Sequence, residues 1–245
     1  MRFNKKAIIP SGITKELAEE TGIHIGDGYL GFGKYKTNIA YAYSVTNGID
    51  EEDYSLNYIA PLIYKLYGLL PSVYRGKDNA IYLHYKSKIL FNFKKDLGLP
   101  VGPKDSVLIP IAILNSEYVL DCIRGIFDTD GSLNFQKKHK SYHYYPRLDI
   151  AAKNRELILQ IDRVLKCLGF TTSLQLDTKK LTCAGTICTS SRIFLYGKRN
   201  LELWLKRIGF SNPKNLNKLK IWREKGYCEK PWEGIEPSTS TLPML

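Results

Sequence analysis

Two carboxylates in matched settings are the chemistry-bearing feature of this sequence. Asp27 closes the stretch LAEETGIHIGD and is followed by Gly28; Asp130 closes YVLDCIRGIFDTD and is followed by Gly131. Ala18, Gly22 and Gly26 recur at every fourth position, so in a helix they line one face and let another backbone come close. Gly125 and Thr129 repeat the last two. A glycine inside a helix costs about 1 kcal/mol against alanine, so Gly22 and Gly125 predict two helices packed tightly on each other. The glycine after each acid predicts a left-handed residue that ends the helix. Asp27 and Asp130 would then sit side by side at the negative ends of two helix dipoles. Each such placement costs roughly 0.3 to 1 kcal/mol, and the two charges repel. A cation is called for, and magnesium fits best: it prefers oxygen ligands, keeps its waters and bridges carboxylates to phosphates.

These residues resemble the motifs of the LAGLIDADG homing endonucleases, with GIFDTDG at 125–131 the closer copy and GIHIGDG at 22–28 the looser one. The first copy departs from the pattern at Glu20 and Thr21, where the family has leucine and alanine, and at His24 and Ile25. The resemblance covers most of the chain and implies an α+β fold: two pseudo-symmetric αββαββα halves packed through the motif helices, their antiparallel sheets forming a DNA-binding saddle. It implies a monomeric, site-specific endonuclease that hydrolyses both strands of double-stranded DNA. Magnesium, or manganese in its place, would be held by Asp27 and Asp130 with the adjoining Gly26 and Thr129. Polar or basic residues flank the acids in such enzymes; Asn47 and Lys153, at matching strand ends, are the candidates here. Non-cleaving relatives, an RNA maturase or a DNA-binding transcription regulator, are the alternative. Retention of both acids favours the nuclease. An intein's endonuclease domain would need flanking splicing blocks, which the sequence does not display.

The elements that must carry these acids can be read in order. After an N-terminal arm (1–12), the first half (13–99) continues from its motif helix into a hairpin of 29–35 and 38–46, with Tyr35, Tyr41 and Tyr43 among Lys34 and Lys36. An amphipathic helix over 50–67 follows, in which Pro61 can introduce a kink. A second hairpin, 72–75 with 80–85, carries Tyr74, Arg75, Tyr82 and His84, and a closing helix runs over 87–97. A proline-containing linker (100–114) leads to the second half (115–226), which repeats the order. Its hairpin of 132–137 and 143–151 surrounds the basic loop QKKHKSYH, followed by helix 154–168, hairpin 171–196 and helix 200–208. The segment 227–245, rich in Pro, Ser and Thr, is expected to be disordered. LGLPVGPK at 97–104 echoes IGFSNPK at 208–214, and Asp27 echoes Asp130 103 residues on, so the halves look duplicated.

The charge balance supports a polyanionic partner: 36 Lys and Arg against 24 Asp and Glu, a net of +12. We expect DNA contacts from Lys34, Lys36, Tyr41, Tyr74, Arg75, Tyr82, Lys137, Lys138, Lys140, Arg147 and Arg192, with the cations on phosphates and the planar or polar groups near base edges. No apolar run has the length of a membrane span, and the opening MRFNKKAIIPSG lacks a signal-peptide core, so an intracellular protein is expected. The five cysteines have no paired zinc spacing and read as thiols. GYLGFGK at 28–34 approximates a phosphate-binding loop, but Tyr35 stands where Ser or Thr is needed and a helix, not a strand, precedes it. His24 reads as packed, and Asp121 and Asp128 as structural.

Overall fold

The structure is a computed structural model that describes residues 7–35, 38–181 and 187–228. The expected tail therefore lies outside the described residues from position 229 onward, as do Lys36 and the side chain of Lys34. The first half consists of α1 (Lys15–Asp27), β1 (Gly28–Tyr35), β2 (Asn38–Gly48), a short 3-10 turn (Ile49–Glu51), α2 (Glu52–Tyr54), a π turn (Ser55–Ile59), α3 (Ala60–Tyr67), β3 (Ser72–Arg75), β4 (Ala80–Lys86) and α4 (Lys88–Asp96). After α5 (Ile111–Leu114) the second half runs α6 (Val119–Asp130), β5 (Gly131–Gln136), β6 (Tyr145–Ala152), α7 (Arg155–Cys167), β7 (Thr172–Leu181), β8 (Ile187–Tyr196) and α8 (Lys198–Arg207), and α9 (Pro213–Lys225) follows. Each half has one four-stranded antiparallel sheet with the same order, β1-β2-β4-β3 and β5-β6-β8-β7. The fold is the α+β pair of αββαββα halves that the sequence predicts.

Local signals place most boundaries. Thr14, Ser87 and Asn154 cap α1, α4 and α7 through their side-chain oxygens. Gly68 stops α3 with φ 67°, and Gly169, with φ 84°, follows α7. The single helix expected over 50–67 is instead broken by the π turn just before Pro61. Proline lacks an N–H and its ring crowds the carbonyl four residues earlier, so the backbone widens there rather than continuing a regular ladder.

The two halves meet through α1 and α6, the most extensive helix–helix contact in the described chain. A Cβ added to Gly22 would fall on the carbonyl oxygen of Cys122, and one on Gly125 would fall on that of Glu19. The backbones thus touch at the two glycines that the spacing singled out. Ala18 and Ile25 of α1 join the core of the second half, beside Ile123, Ile126 and Phe127 of α6. That exchange makes the halves one packed unit.

The helices do not end as expected. Gly28 (φ −81°, ψ 154°) and Gly131 (φ −97°, ψ 171°) are extended, not left-handed. Glycine is needed there for space: a Cβ on Gly28 would lie 2.5 Å from His24 Cα, and one on Gly131 would lie 2.6 Å from the Phe127 carbonyl oxygen. Each strand leaves its helix by folding back against the preceding turn, which keeps the acid at the seam.

The sequence reading placed no helix over 213–225. Its start, Asn212 before Pro213, and its stop, Gly226 at φ 75°, were legible signals. Its apolar residues do not form a continuous stripe, so periodicity missed it. Trp222 stacks on Phe135 at 5.3 Å and donates to the Tyr144 carbonyl at 2.8 Å, and the Cys228 N–H donates to the His143 carbonyl at 2.8 Å. Residues 227 and 228, assigned to the tail, are thus joined to the second half.

Candidate active site at the tips of the motif helices

Asp27 and Asp130 end α1 and α6, and the close helix packing brings their carboxyl groups together. A Cβ on Gly26 would lie 3.5 Å from Asp130 Cγ. Burial raises the Asp27 pKa to about 7, reinforced by the charges of Asp130 and Glu51 and opposed by Lys104. Burial also raises that of Asp130, against the same lysine. Asn47 Nδ2 donates to Asp27 Oδ2 at 3.0 Å, while Asn47 Oδ1 is buried with no hydrogen-bond partner. This orphaned oxygen and the two carboxylates that repel each other are hard oxygen donors of the kind a divalent cation could take, with water completing its shell. Among the described residues no group of three or more His, Cys, Asp or Glu that could hold a metal comes together.

Strand register explains the position of Asn47 and corrects that of its presumed match. Gly28 pairs with Val45 and Gly131 with Ile150, so the residue corresponding to Asn47 is Ala152, not Lys153. Lys153 instead forms an exposed ion pair with Asp105 at 3.3 Å, in the cavity that also contains Asp130 and Lys104. Gly26 and Thr129 are in contact across the seam. The Gly26 carbonyl accepts a hydrogen bond from Lys104 Nζ, and Thr129 Oγ1 donates to the Gly125 carbonyl at 2.9 Å.

Lys104 is the functional candidate that the sequence reading missed. Its ammonium lies near both acids, and burial lowers its pKa while Asp130 and Asp27 oppose that fall. The signal was the Pro-Lys echo at 103–104 and 213–214. Lys214, its repeat partner, lines a second cavity with Thr129, Gly131 and Ser132, and there it pairs with Asp50 at 3.1 Å and Glu51 at 3.8 Å.

Asp128 has the structural role expected of it. Its carboxylate accepts from the Ser211 N–H (2.5 Å), the Asn212 N–H (3.1 Å) and Asn215 Nδ2 (3.1 Å), holding the start of α9 against the seam. Asp128→Ala leaves these donors unpaired in a buried place and is expected to lower unfolding stability by about 2 to 3 kcal/mol in urea denaturation. An unchanged midpoint would show that α9 docks by other means. Asp121 pairs with Arg124 at 2.7 Å, and His24 is fully buried with its ring 5.1 Å from Tyr43.

The proposed DNA contacts divide by sheet face. Tyr74 and Tyr82 stack at 5.3 Å on the open face of the first sheet. Tyr41 belongs to the packed face, 4.9 Å from Phe91, and Arg75 is paired with Glu52; neither points to the saddle as predicted, because both share the alternation of buried residues such as Tyr43 and Ile81. On the second half Lys137 is exposed, Lys138 lies 4.3 Å over the Tyr145 ring and Lys140 donates to Tyr142 at 2.7 Å. Arg147 and Arg192 flank Asp149 at 3.0 and 3.7 Å.

Comparison with known proteins agrees with this architecture. Residues 117–209 match the family model described as a LAGLIDADG-like domain. Replication factor C small subunit of Methanocaldococcus jannaschii is 25% identical over 209 residues, which span 85% of this chain but only 10% of that protein. In structure the chain is similar to I-DmoI in complex with DNA and Ca, with a TM-score of 0.60, 21% identity and coverage of 84% of this chain and 97% of that one. It is also similar to the LAGLIDADG homing endonuclease I-GzeII in complex with its DNA target, with a TM-score of 0.57, 9% identity and coverage of 88% and 90%. Residues 117–209 thus match a LAGLIDADG-like domain, and the whole chain has the two-half fold of the LAGLIDADG homing endonucleases it resembles in structure. Among the described residues no helix is long and apolar enough to cross a membrane.

Proposed function

We propose that this chain is a monomeric, site-specific homing endonuclease that hydrolyses phosphodiester bonds in both strands of double-stranded DNA. The observation that carries the reading is the pair of carboxylates, Asp27 and Asp130, at the tips of the two packed motif helices, close enough to repel each other and beside the unpartnered oxygen of Asn47. Solved relatives of the same fold were crystallised with DNA and Ca, Mn or Mg. Asp27 and Asp130 would hold the metal, with Asn47 Oδ1 as a third oxygen. When bound, magnesium or manganese would polarise the scissile phosphate and lower the pKa of an attacking water.

The chain's own groups do the rest. The Asn47 amide fixes the Asp27 carboxylate in one orientation through its 3.0 Å hydrogen bond. Lys104, already drawn toward both acids, supplies a positive charge for the developing oxyanion. Because both halves belong to one polypeptide, the two strands can be engaged by a single molecule without a palindromic target.

The test is incubation with a library of intronless target genes. Double-strand breaks with magnesium, absent in chelator, are the expected result. Retention of DNA or RNA with no metal-dependent break on any target would instead favour the regulator or maturase reading.

A further inference from the structure

The duplication allows the two open sheet faces to be compared position by position. With Gly28 matched to Gly131, Gly31 and Gly33 of β1 correspond to Asn134 and Gln136 of β5. With Val45 matched to Ile150, Ala42 and Ser44 of β2 correspond to Arg147 and Asp149 of β6. With Leu83 matched to Ile193, Tyr82 of β4 corresponds to Arg192 of β8. At all five positions the second half carries a long hydrogen-bonding or charged group. The first half has small residues at four and an aromatic ring at the fifth; elsewhere on the same faces the order reverses, with Tyr29, Thr46 and His84 of the first half against Ser132, Ala151 and Phe194.

That difference bears on base readout. In the major groove, bidentate donors and acceptors on Arg, Asn and Gln distinguish all four base pairs, whereas glycine and alanine offer no side-chain donor or acceptor. The arginines of the second sheet are also held ready. Asp149, nearly buried, accepts from Arg147 Nε at 3.0 Å and lies 3.7 Å from Arg192 Nη1, and Arg147 Cζ sits 5.8 Å over the Phe194 ring. Arg192 Nε has no partner. Groups fixed before binding lose little freedom on contact. The Gly31–Ala42 floor of the first sheet is bordered by Tyr29 and by the stacked pair Tyr74–Tyr82, which suit contact with sugars, thymine methyls and groove shape.

We infer that sequence discrimination by this protein is one-sided: the half-site under the second sheet is read base by base through Asn134, Gln136, Arg147 and Arg192, with Asp149 as their positioning residue, while the half-site under the first sheet is recognised with little base specificity. The inference rests on the DNA-nuclease reading above.

Selection from a random duplex library in calcium, followed by sequencing, tests it. The expected consensus has defined bases on one side of its centre and near-degenerate bases on the other. Arg147→Ala and Gln136→Ala should each relax the defined side by about 10-fold at one or two base pairs, with the melting temperature of Gln136→Ala unchanged. Asp149→Ala should blur the arginine-read positions together. Tyr82→Ala should weaken binding evenly without altering the consensus. Two equally defined sides, or a defined side indifferent to Arg147→Ala and Gln136→Ala, would overturn the asymmetry while leaving DNA binding intact. No enrichment of any duplex would overturn DNA binding itself, and the asymmetry with it.

Discussion

Asp27→Asn is expected to abolish double-strand cleavage and, at the same time, to make the folded protein more stable at pH 8. The carboxylate is half-buried near Asp130 and Glu51, and this burial raises its pKa to about 7. In the unfolded chain an aspartate titrates near ~3.9. The folded state therefore binds the proton more tightly. The destabilisation is absent below pH ~4, grows as pH rises from ~4 to ~7, and is complete above that. The neutral amide escapes it, for an expected gain of about 2 kcal/mol at pH 8 in thermal or urea unfolding. Asp128, whose pKa is also raised to about 7 by burial, is common to both proteins and cancels in the difference.

If Asp27 holds the metal as proposed, its loss should lower cleavage by roughly 1,000-fold or more, equivalent to several kcal/mol of transition-state stabilisation. Magnesium should raise the melting temperature of the natural protein but not that of Asp27→Asn. Asp130→Asn should lose cleavage alike, but with little gain in stability, because its side chain is exposed to solvent. Full cleavage by either variant would remove these acids from the chemistry. Loss of cleavage together with loss of stability would mean that they serve the fold instead.

Lys94→Met should be among the most destabilising single substitutions in the first half. Lys94 and Glu20 are fully buried, with Nζ 2.6 and 2.7 Å from the two carboxylate oxygens. Tyr67 donates to Glu20 Oε2 at 2.8 Å, and the ammonium lies 4.1 Å over the Tyr43 ring. Burial lowers the Lys94 pKa and the Glu20 charge opposes that shift. Removing the lysine leaves a carboxylate in the core with only one remaining hydrogen bond, a loss of about 3 to 5 kcal/mol. The double change Glu20→Leu with Lys94→Met should recover most of it, since the corresponding residue on α6 is the buried Ile123. Equal stability of the single and double variants in urea denaturation would refute this account of the pair.

The sequence alone determined most of the helices, the hairpins, their order in two repeats, and the two acids at the helix ends. These are local or periodic properties: the cap at Asn154, small residues every fourth position, and alternation along strands. It also exposed Glu20 as a departure from the motif, but not its partner 74 positions away. Only the tertiary structure decided which groups surround the acids. Asn47 reaches Asp27, and Ala152 stands where Lys153 was expected, because a strand shifted by one residue presents the opposite face. For the same reason Tyr41 and Arg75 turn toward the packed side. Lys104 arrives from a segment without periodicity, and α9 is held by Asp128 across more than eighty residues. Contacts of that range depend on the path of the folded chain, which no local pattern encodes.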